Sequence, residues 1–224
     1  MGETKLEKIE DFFDSRSEIY EEKHLASLDG GLESKRSIAE ALPDNTKTLL
    51  DLGVGTGLEL EAIYERFPRI RITGIDISEN LLSQLREKYK DADINVIQEN
   101  YLSYDFGTAE YDAVISSMTM HHYDYHTKSG LYRKIKKALK SGGGYIENDY
   151  ILSEKEMPDA DAAEKRNFDE YELLRKEQNL SPGDYYHFDT PLTLNHQIEV
   201  LHESGFEDVH VAWANKHNIT LTAK

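Results

Sequence analysis

At 224 residues the chain is long enough for one domain with a buried core, with room for a small elaboration. Its 26 Lys plus Arg against 43 Asp plus Glu give a formal charge of −17, a field that disfavours nucleic acid and anionic lipid as partners. The lack of cysteine excludes a disulfide framework, a thiolate zinc site and a cysteine nucleophile, and no run approaches the roughly 20 apolar residues of a membrane span, so a cytoplasmic protein is expected.

Leu6, Ile9, Phe12, Phe13, Ile19 and Tyr20 recur at helical spacing in a charged background, which predicts an amphipathic N-terminal helix. Gly30-Gly31 breaks it, and a second helix is expected over 33–42, ended near Pro43. Residues 1–45 are therefore expected to form a helical segment ahead of a main domain over 46–224. Strands and helices then alternate: strands at 48–52, 71–75, 94–98, 111–116 and 144–148, helices striped by Leu60, Ile63 and Phe67, by Leu81, Leu82, Leu85 and Tyr89, and by Leu131, Ile135, Ala138 and Leu139. This is the α/β class, a mostly parallel sheet with helices on both faces. The rhythm breaks over 154–179, charged with few apolar anchors, and 151–190 is expected to be a helical lid that recognises substrate. A helix carrying Leu194, Ile198 and Leu201, a stop at Gly205, and strands over 209–213 and 218–222 complete a seven-stranded sheet.

The first strand runs directly into Gly53-Val54-Gly55-Thr56-Gly57 and then into a helix. Glycine lets the turn be tight and the backbone approach a ligand. Asp76, at the end of the second strand, is placed to accept hydrogen bonds from ribose hydroxyls. A pyrophosphate cradle wants the spacing G-x-G-x-x-G, whereas here Gly57 is followed by Leu58, which favours a nucleoside cofactor without phosphates. Asp51, before the first glycine, suits a cationic ligand such as an α-amino group and would repel a pyrophosphate.

On these motifs the chain resembles the class I S-adenosylmethionine-dependent methyltransferases from about Leu49 onward. The resemblance implies that S-adenosylmethionine is the cofactor, that Asp51, Gly53, Gly55 and Gly57 pack against its methionine part, and that Asp76 binds the ribose. Ile77 is implied at the adenine, Asn100 at its amino group where the family more often has Asp, with Tyr101 beside it, and Ser116 near the methionine group. Leu139-Lys140-Ser141-Gly142-Gly143-Gly144 matches the family's turn before the fifth strand, with Ser141 in place of Pro. Asp112 is read as a structural residue at the edge of the fourth strand.

Ligands of open α/β sheets bind outside the carboxyl ends of the strands, which directs attention to the segments after strands four and five. Methyl transfer from a sulfonium needs alignment and removal of a blocking proton, work suited to histidine or a carboxylate. His122 is the expected base or substrate-orienting group, with His121 pointing elsewhere, and Asp149 is expected as a base or as the partner of a substrate ammonium. Tyr20, Tyr150, Tyr186 and His187 are expected around the acceptor. His121, His122, Asp124, His126, Asn148 and Asp149 are competent metal ligands, but their spacing matches no ligand motif and no metal is expected. The expected activity is methyl transfer to nitrogen or oxygen of a small molecule. The alternatives are a tRNA base as acceptor or a non-catalytic cofactor-binding protein, and monomer and homodimer both stay open.

Overall fold

The structure, a computed structural model, describes residues 5–181 and 184–224, with the backbone alone for 24–27. Seven strands form one sheet: β1 (Thr48–Leu52), β2 (Arg71–Asp76), β3 (Ile94–Gln98), β4 (Tyr111–Ser117), β5 (Leu139–Tyr150), β6 (Val209–Asn215) and β7 (Asn218–Ala223). Their spatial order is β3-β2-β1-β4-β5-β7-β6. The pairs from β3 through β5 are parallel, while β7 runs antiparallel between β5 and β6.

The buried parallel strands read as continuous apolar runs because both faces are covered. Along β1, Leu50 and Leu52 enter one core with Val114 and Tyr145, and Leu49 enters the other with Ala113, Ile115 and Ile146, following the period of two. The first core is closed by α6 (Tyr125–Ala138) and α8 (Leu194–Glu203), through Leu131, Tyr132, Ile135, Val200 and Leu201. The second is closed by α3 (Gly31–Ala41), α4 (Leu60–Arg66) and α5 (Glu79–Lys88), through Ile38, Leu60, Ile63, Leu82 and Leu85. Ser78 caps α5 by accepting the Leu81 N–H, as Asp124 caps α6 by accepting the Thr127 N–H.

Two expectations about elements change. The single N-terminal helix is two, α1 (Ile9–Asp14) and α2 (Tyr20–Ser27), joined by a 3₁₀ turn at Ser17–Ile19. The break lets Asp14 accept the hydroxyl of Ser78 and Gln84 Nε2 reach the carbonyl of Ser17, which fastens the segment to α5. The glycine turn before the fifth strand is itself strand: β5 begins at Leu139, and Gly142, at φ +76°, takes up a register shift against β4. The charged stretch folds as α7 (Ala160–Glu177), whose Tyr171 packs with Leu6 and Tyr186. Asp112 is structural, accepting N–H groups of Lys47 and Thr48 and the ammonium of Lys140.

The order reverses at β1, with β2 on one side and β4 on the other, so the crevice opens at the carboxyl ends of β1, β2 and β4.

Candidate active site

The β1 strand stops at Gly53, which takes φ +74°, and Gly55 follows at φ +50°; both values favour glycine. A β-carbon on Gly53 would press on Thr119, with the nearest atom at 3.0 Å, whereas one on Gly55 would face the open cavity, with Leu81 and Tyr20 no nearer than 3.9 Å. Gly57 does other work. Its β-carbon would meet Leu85 at 2.6 Å and Leu60 and Tyr89 at 2.9 Å, so this glycine lets α4 and α5 close on the loop and is no part of the cavity wall.

The cavity has a volume of about 160 Å³ and is walled by Gly53, Gly55, Asp76, Ile77, Asn100 and Tyr101, with Ile9, Phe13 and Tyr20 laid over it from the N-terminal segment. Asp76 accepts the backbone N–H groups of Gly55 and Ser78 at 2.9 Å each, which ties the ends of β1 and β2 together and orients its carboxylate. Burial raises its pKa to about 6 against the pull of those hydrogen bonds. Tyr101 gives its hydroxyl to a chain with Thr119 and Tyr123. Ser116 is turned into the core, where its hydroxyl meets that of Tyr145 at 2.6 Å.

Behind the glycine loop is a buried group of charges. No described residue other than the neighbouring carboxyl group offers a hydrogen bond to the oxygens of Asp51 or to Glu59 Oε1, the two acids lying close enough to share a proton, and Thr56 Oγ1 has no partner among the described residues. Burial, then the neighbouring Glu59, raise Asp51 well above the carboxylate range. Lys35, on α3, donates to Ser117 at 2.6 Å and faces Glu59, Asp149 and Asp51. Unsatisfied buried carboxylate oxygens are costly in a folded protein and are the expected mark of a place where a ligand supplies the donor. An α-ammonium group meets that requirement; Asp51 and Glu59 lie behind Gly53 and Gly55 and outside the cavity wall, so they fit the amino-acid end of S-adenosylmethionine from behind the loop, as Asp76 in the wall fits the ribose.

After β4 the chain turns at Met118, φ +53°, into a 3₁₀ turn at Met120–His122. Asp149, at the end of β5, accepts the N–H groups of Met120 and His121 at 2.6 and 3.2 Å, that of Tyr150 at 2.6 Å, and sits 2.5 Å from His121 Nδ1. Asp149 is thus spent on holding this turn; it lies in neither cavity wall and does not meet the expectation of a base or ammonium partner. His121, expected to point elsewhere, lies beside His122 with ring centroids 4.1 Å apart.

Both histidines line a second cavity with Phe12, Phe13, His187 and Asp189, and Asp189 lies 3.1 Å from His122 Nδ1 and 3.6 Å from His121 Nε2. Burial lowers the pKa of His122, helped by the neighbouring His121, and leaves the ring neutral at pH 7. Burial alone would lower His121 as well, but Asp149 and Asp189 outweigh it and raise it. His187 stacks on Phe12 at 3.4 Å and is lowered to about 4 by burial. Of the other two predicted acceptor residues, Tyr186 is buried against Leu6 and Tyr171, while Tyr150, near His217 at 5.4 Å, lines an adjoining cavity that shares Phe12, Arg16, His187 and Asp189 with the second. Phe13, Lys35 and Glu59 went unpredicted. A lysine and a glutamate on amphipathic helices read as solvent-facing, and only the packing of α3 and α4 on β1 shows them buried.

A sequence profile for the methyltransferase domain matches residues 49–143, which contain the glycine loop, Asp76 and the 3₁₀ turn. Over these residues the chain carries a methyltransferase domain, whose cofactor is S-adenosylmethionine. This methyltransferase is 25% identical over 185 residues to carboxy-S-adenosyl-L-methionine synthase of Nautilia profundicola, covering 78% of this chain and 76% of the relative. It is 29% identical over 163 residues to phosphoethanolamine N-methyltransferase of Plasmodium falciparum, covering 71% of this chain and 60% of that protein. Human N-acetylserotonin methyltransferase, solved with S-adenosylmethionine, shares the fold at TM-score 0.61 and 19% identity, over 92% of this chain and 57% of the human one. The methyltransferase thus spans about six-tenths of the length of the last two. No helix among its described residues is long and apolar enough to cross a membrane.

Proposed function

We propose that the protein transfers a methyl group from S-adenosylmethionine to a small-molecule acceptor held in the second cavity. One observation carries the reading: the two cavities share a wall made of Phe13, Tyr20, Met118 and His122. When bound, the cofactor supplies an electrophilic methyl carbon on a sulfonium. Asp76 accepts the ribose hydroxyls, Asp51 with Glu59 holds the ammonium, and Ile77 and Asn100 flank the base. Gly57 and Ser116 support the loop and the core from outside the cavity. Phe13 and Tyr20 cover the shared wall and exclude water, which would compete for the methyl group. His122, neutral and buried between the cavities, orients the acceptor and takes its proton; His121 and Asp149 fix the turn that carries it. Residues 1–45 serve as the cover of the site and 151–190 as the substrate-recognising element, through His187 and Asp189.

The aromatic and imidazole lining favours a flat or amine-bearing small molecule, and the net charge of −17 weighs against a tRNA acceptor. Incubation with S-adenosylmethionine and a metabolite library, read as S-adenosylhomocysteine formation with the methylated product identified by mass, tests the proposal; no turnover together with no binding by titration calorimetry would refute it. The likeness to a carboxy-S-adenosylmethionine synthase favours a second reading, modification of the cofactor itself. That chemistry needs a cation for a carboxylate; Arg16, at the second cavity, is engaged with Glu7 at 2.9 Å, which leaves Lys23 on the same wall as the candidate. A mass shift on the cofactor in place of the acceptor would decide for it.

A further inference from the structure

The convergence of His121, His122 and Asp189 goes beyond what methyl transfer requires. We propose that His121 Nε2, His122 Nδ1 and Asp189 Oδ1 form a binding site for a divalent transition-metal ion, with its open coordination positions facing the second cavity. The three ligand atoms lie within 4.8 Å of one another, with the carboxylate 3.6 and 3.1 Å from the two nitrogens. An ion held at about 2.1 Å from each ligand sets neighbouring ligand atoms about 3.0 Å apart in an octahedron and about 3.4 Å apart in a tetrahedron. The two nitrogen–carboxylate separations already lie close to these values, and ion binding must draw the two nitrogens, up to 4.8 Å apart, to the same spacing, chiefly by rotation of His122, since Asp149 holds the ring of His121.

Two further observations point to an occupant. Asp149 accepts three backbone N–H groups and sits 2.5 Å from His121 Nδ1, which keeps a proton on Nδ1 and makes Nε2, facing Asp189, the nitrogen that an ion would take in exchange for a proton. A carboxylate that fixes the far nitrogen of a ligating imidazole is the usual second contact of a metal-bound histidine. His122 Nδ1 is buried and, although 3.1 Å from Asp189, lacks an aligned hydrogen bond. Asp189 itself is exposed, so the ion has an entry path and room for further ligands. Two imidazole nitrogens and one carboxylate, with no sulfur, suit Zn²⁺, Mn²⁺, Fe²⁺, Co²⁺ or Ni²⁺. The ion's service to catalysis rests on the methyl-transfer reading: an acceptor oxygen in its open position would be acidified, and His122 would then orient while the ion eases proton loss. The ion site stands without that reading.

The test uses the full chain without an affinity tag, stripped with chelator and titrated with CoCl₂ followed by visible ligand-field bands, and with ZnCl₂ and MnCl₂ by calorimetry. The expected result is one ion per chain, weakened at least tenfold by Asp189→Asn and His121→Ala, weakened about 10- to 100-fold by Asp149→Asn, and unchanged by His126→Ala. Asp189 is exposed, so Asp189→Asn carries the decision if Asp149→Asn fails to fold. Absence of saturable binding at about millimolar ion, or equal binding by Asp189→Asn, would overturn the site, pointing to a protonated His121 paired with Asp189. S-adenosylhomocysteine binding and turnover are measured alongside. An empty site with turnover overturns this inference alone; an occupied site in a protein that methylates nothing overturns the proposed function alone.

Discussion

Asp51→Asn should move cofactor affinity and stability in opposite directions. Asp51 is fully buried, its two oxygens have no partner but the Glu59 carboxyl, and Glu59 repels its charge, so in the cofactor-free protein the carboxylate is a liability. Asparagine keeps the shape and removes the ionisable group that burial and Glu59 disfavour, while Glu59 and Asp149 remain to face Lys35. The cofactor-free variant should be about 1 kcal/mol more stable, a rise in Tm of roughly 2–4 °C for a chain of this size. The same change removes a charge-assisted contact to the ligand ammonium, worth about 1.5–3 kcal/mol, or roughly 10- to 150-fold in Kd. Thermal unfolding without ligand and calorimetric titration with S-adenosylhomocysteine measure the two effects on one preparation. A lowered Tm with an unchanged Kd would refute the reasoning and make Asp51 an ordinary structural acceptor satisfied by water.

Asp76 must be ionised to accept ribose hydroxyls, and burial puts its pKa at about 6, so S-adenosylhomocysteine should bind progressively tighter as pH rises from 5 to 7 and level off above. Its contribution to cofactor-free stability has the reverse sign: between the ordinary 3.8 and about 6 the native state binds the extra proton, and stability falls as pH rises through that window. Urea unfolding at several pH values on the wild type and Asp76→Asn isolates this term, and equal slopes would count against it. His122→Ala should lower kcat on the acceptor found by screening by about 10²- to 10⁴-fold, with S-adenosylhomocysteine affinity within a few-fold by calorimetry. Gly57→Ala forces a β-carbon at φ +71° to within 2.6 Å of Leu85 and should cost about 2–4 kcal/mol, read as a Tm lowered by roughly 4–16 °C. A loss of cofactor affinity at unchanged Tm would instead place Gly57 at the ligand.

Local chemistry carried much of the outcome. The apolar run at 48–52, the glycines behind it and the acid at 76 announced a strand, a tight turn and a carboxylate at the mouth of the crevice, because each is a demand on the backbone within a few residues. The helix stripes of Leu81, Leu82 and Leu85 and of Leu131 and Ile135 place those helices on the sheet for the same reason. Whether a glycine serves a ligand or a packing contact is not a local property: Gly55 and Gly57 look alike in the chain, and only the approach of Leu85 and Tyr89 separates them. The same holds for Asp149, a plausible base by position after β5, which is consumed by three backbone N–H groups and His121 once β4 and β5 lie side by side. Lys35, Glu59 and Asp189 come from distant segments, and no spacing rule links them to Asp51 or His122. Sequence alone determined the sheet, the cofactor loop and its acid, since periodicity and turn chemistry act over short range. The charge cluster behind the loop and the histidine–carboxylate group beside it were decided by tertiary structure, where long-range packing sets which polar atoms lose water and which partners remain to them.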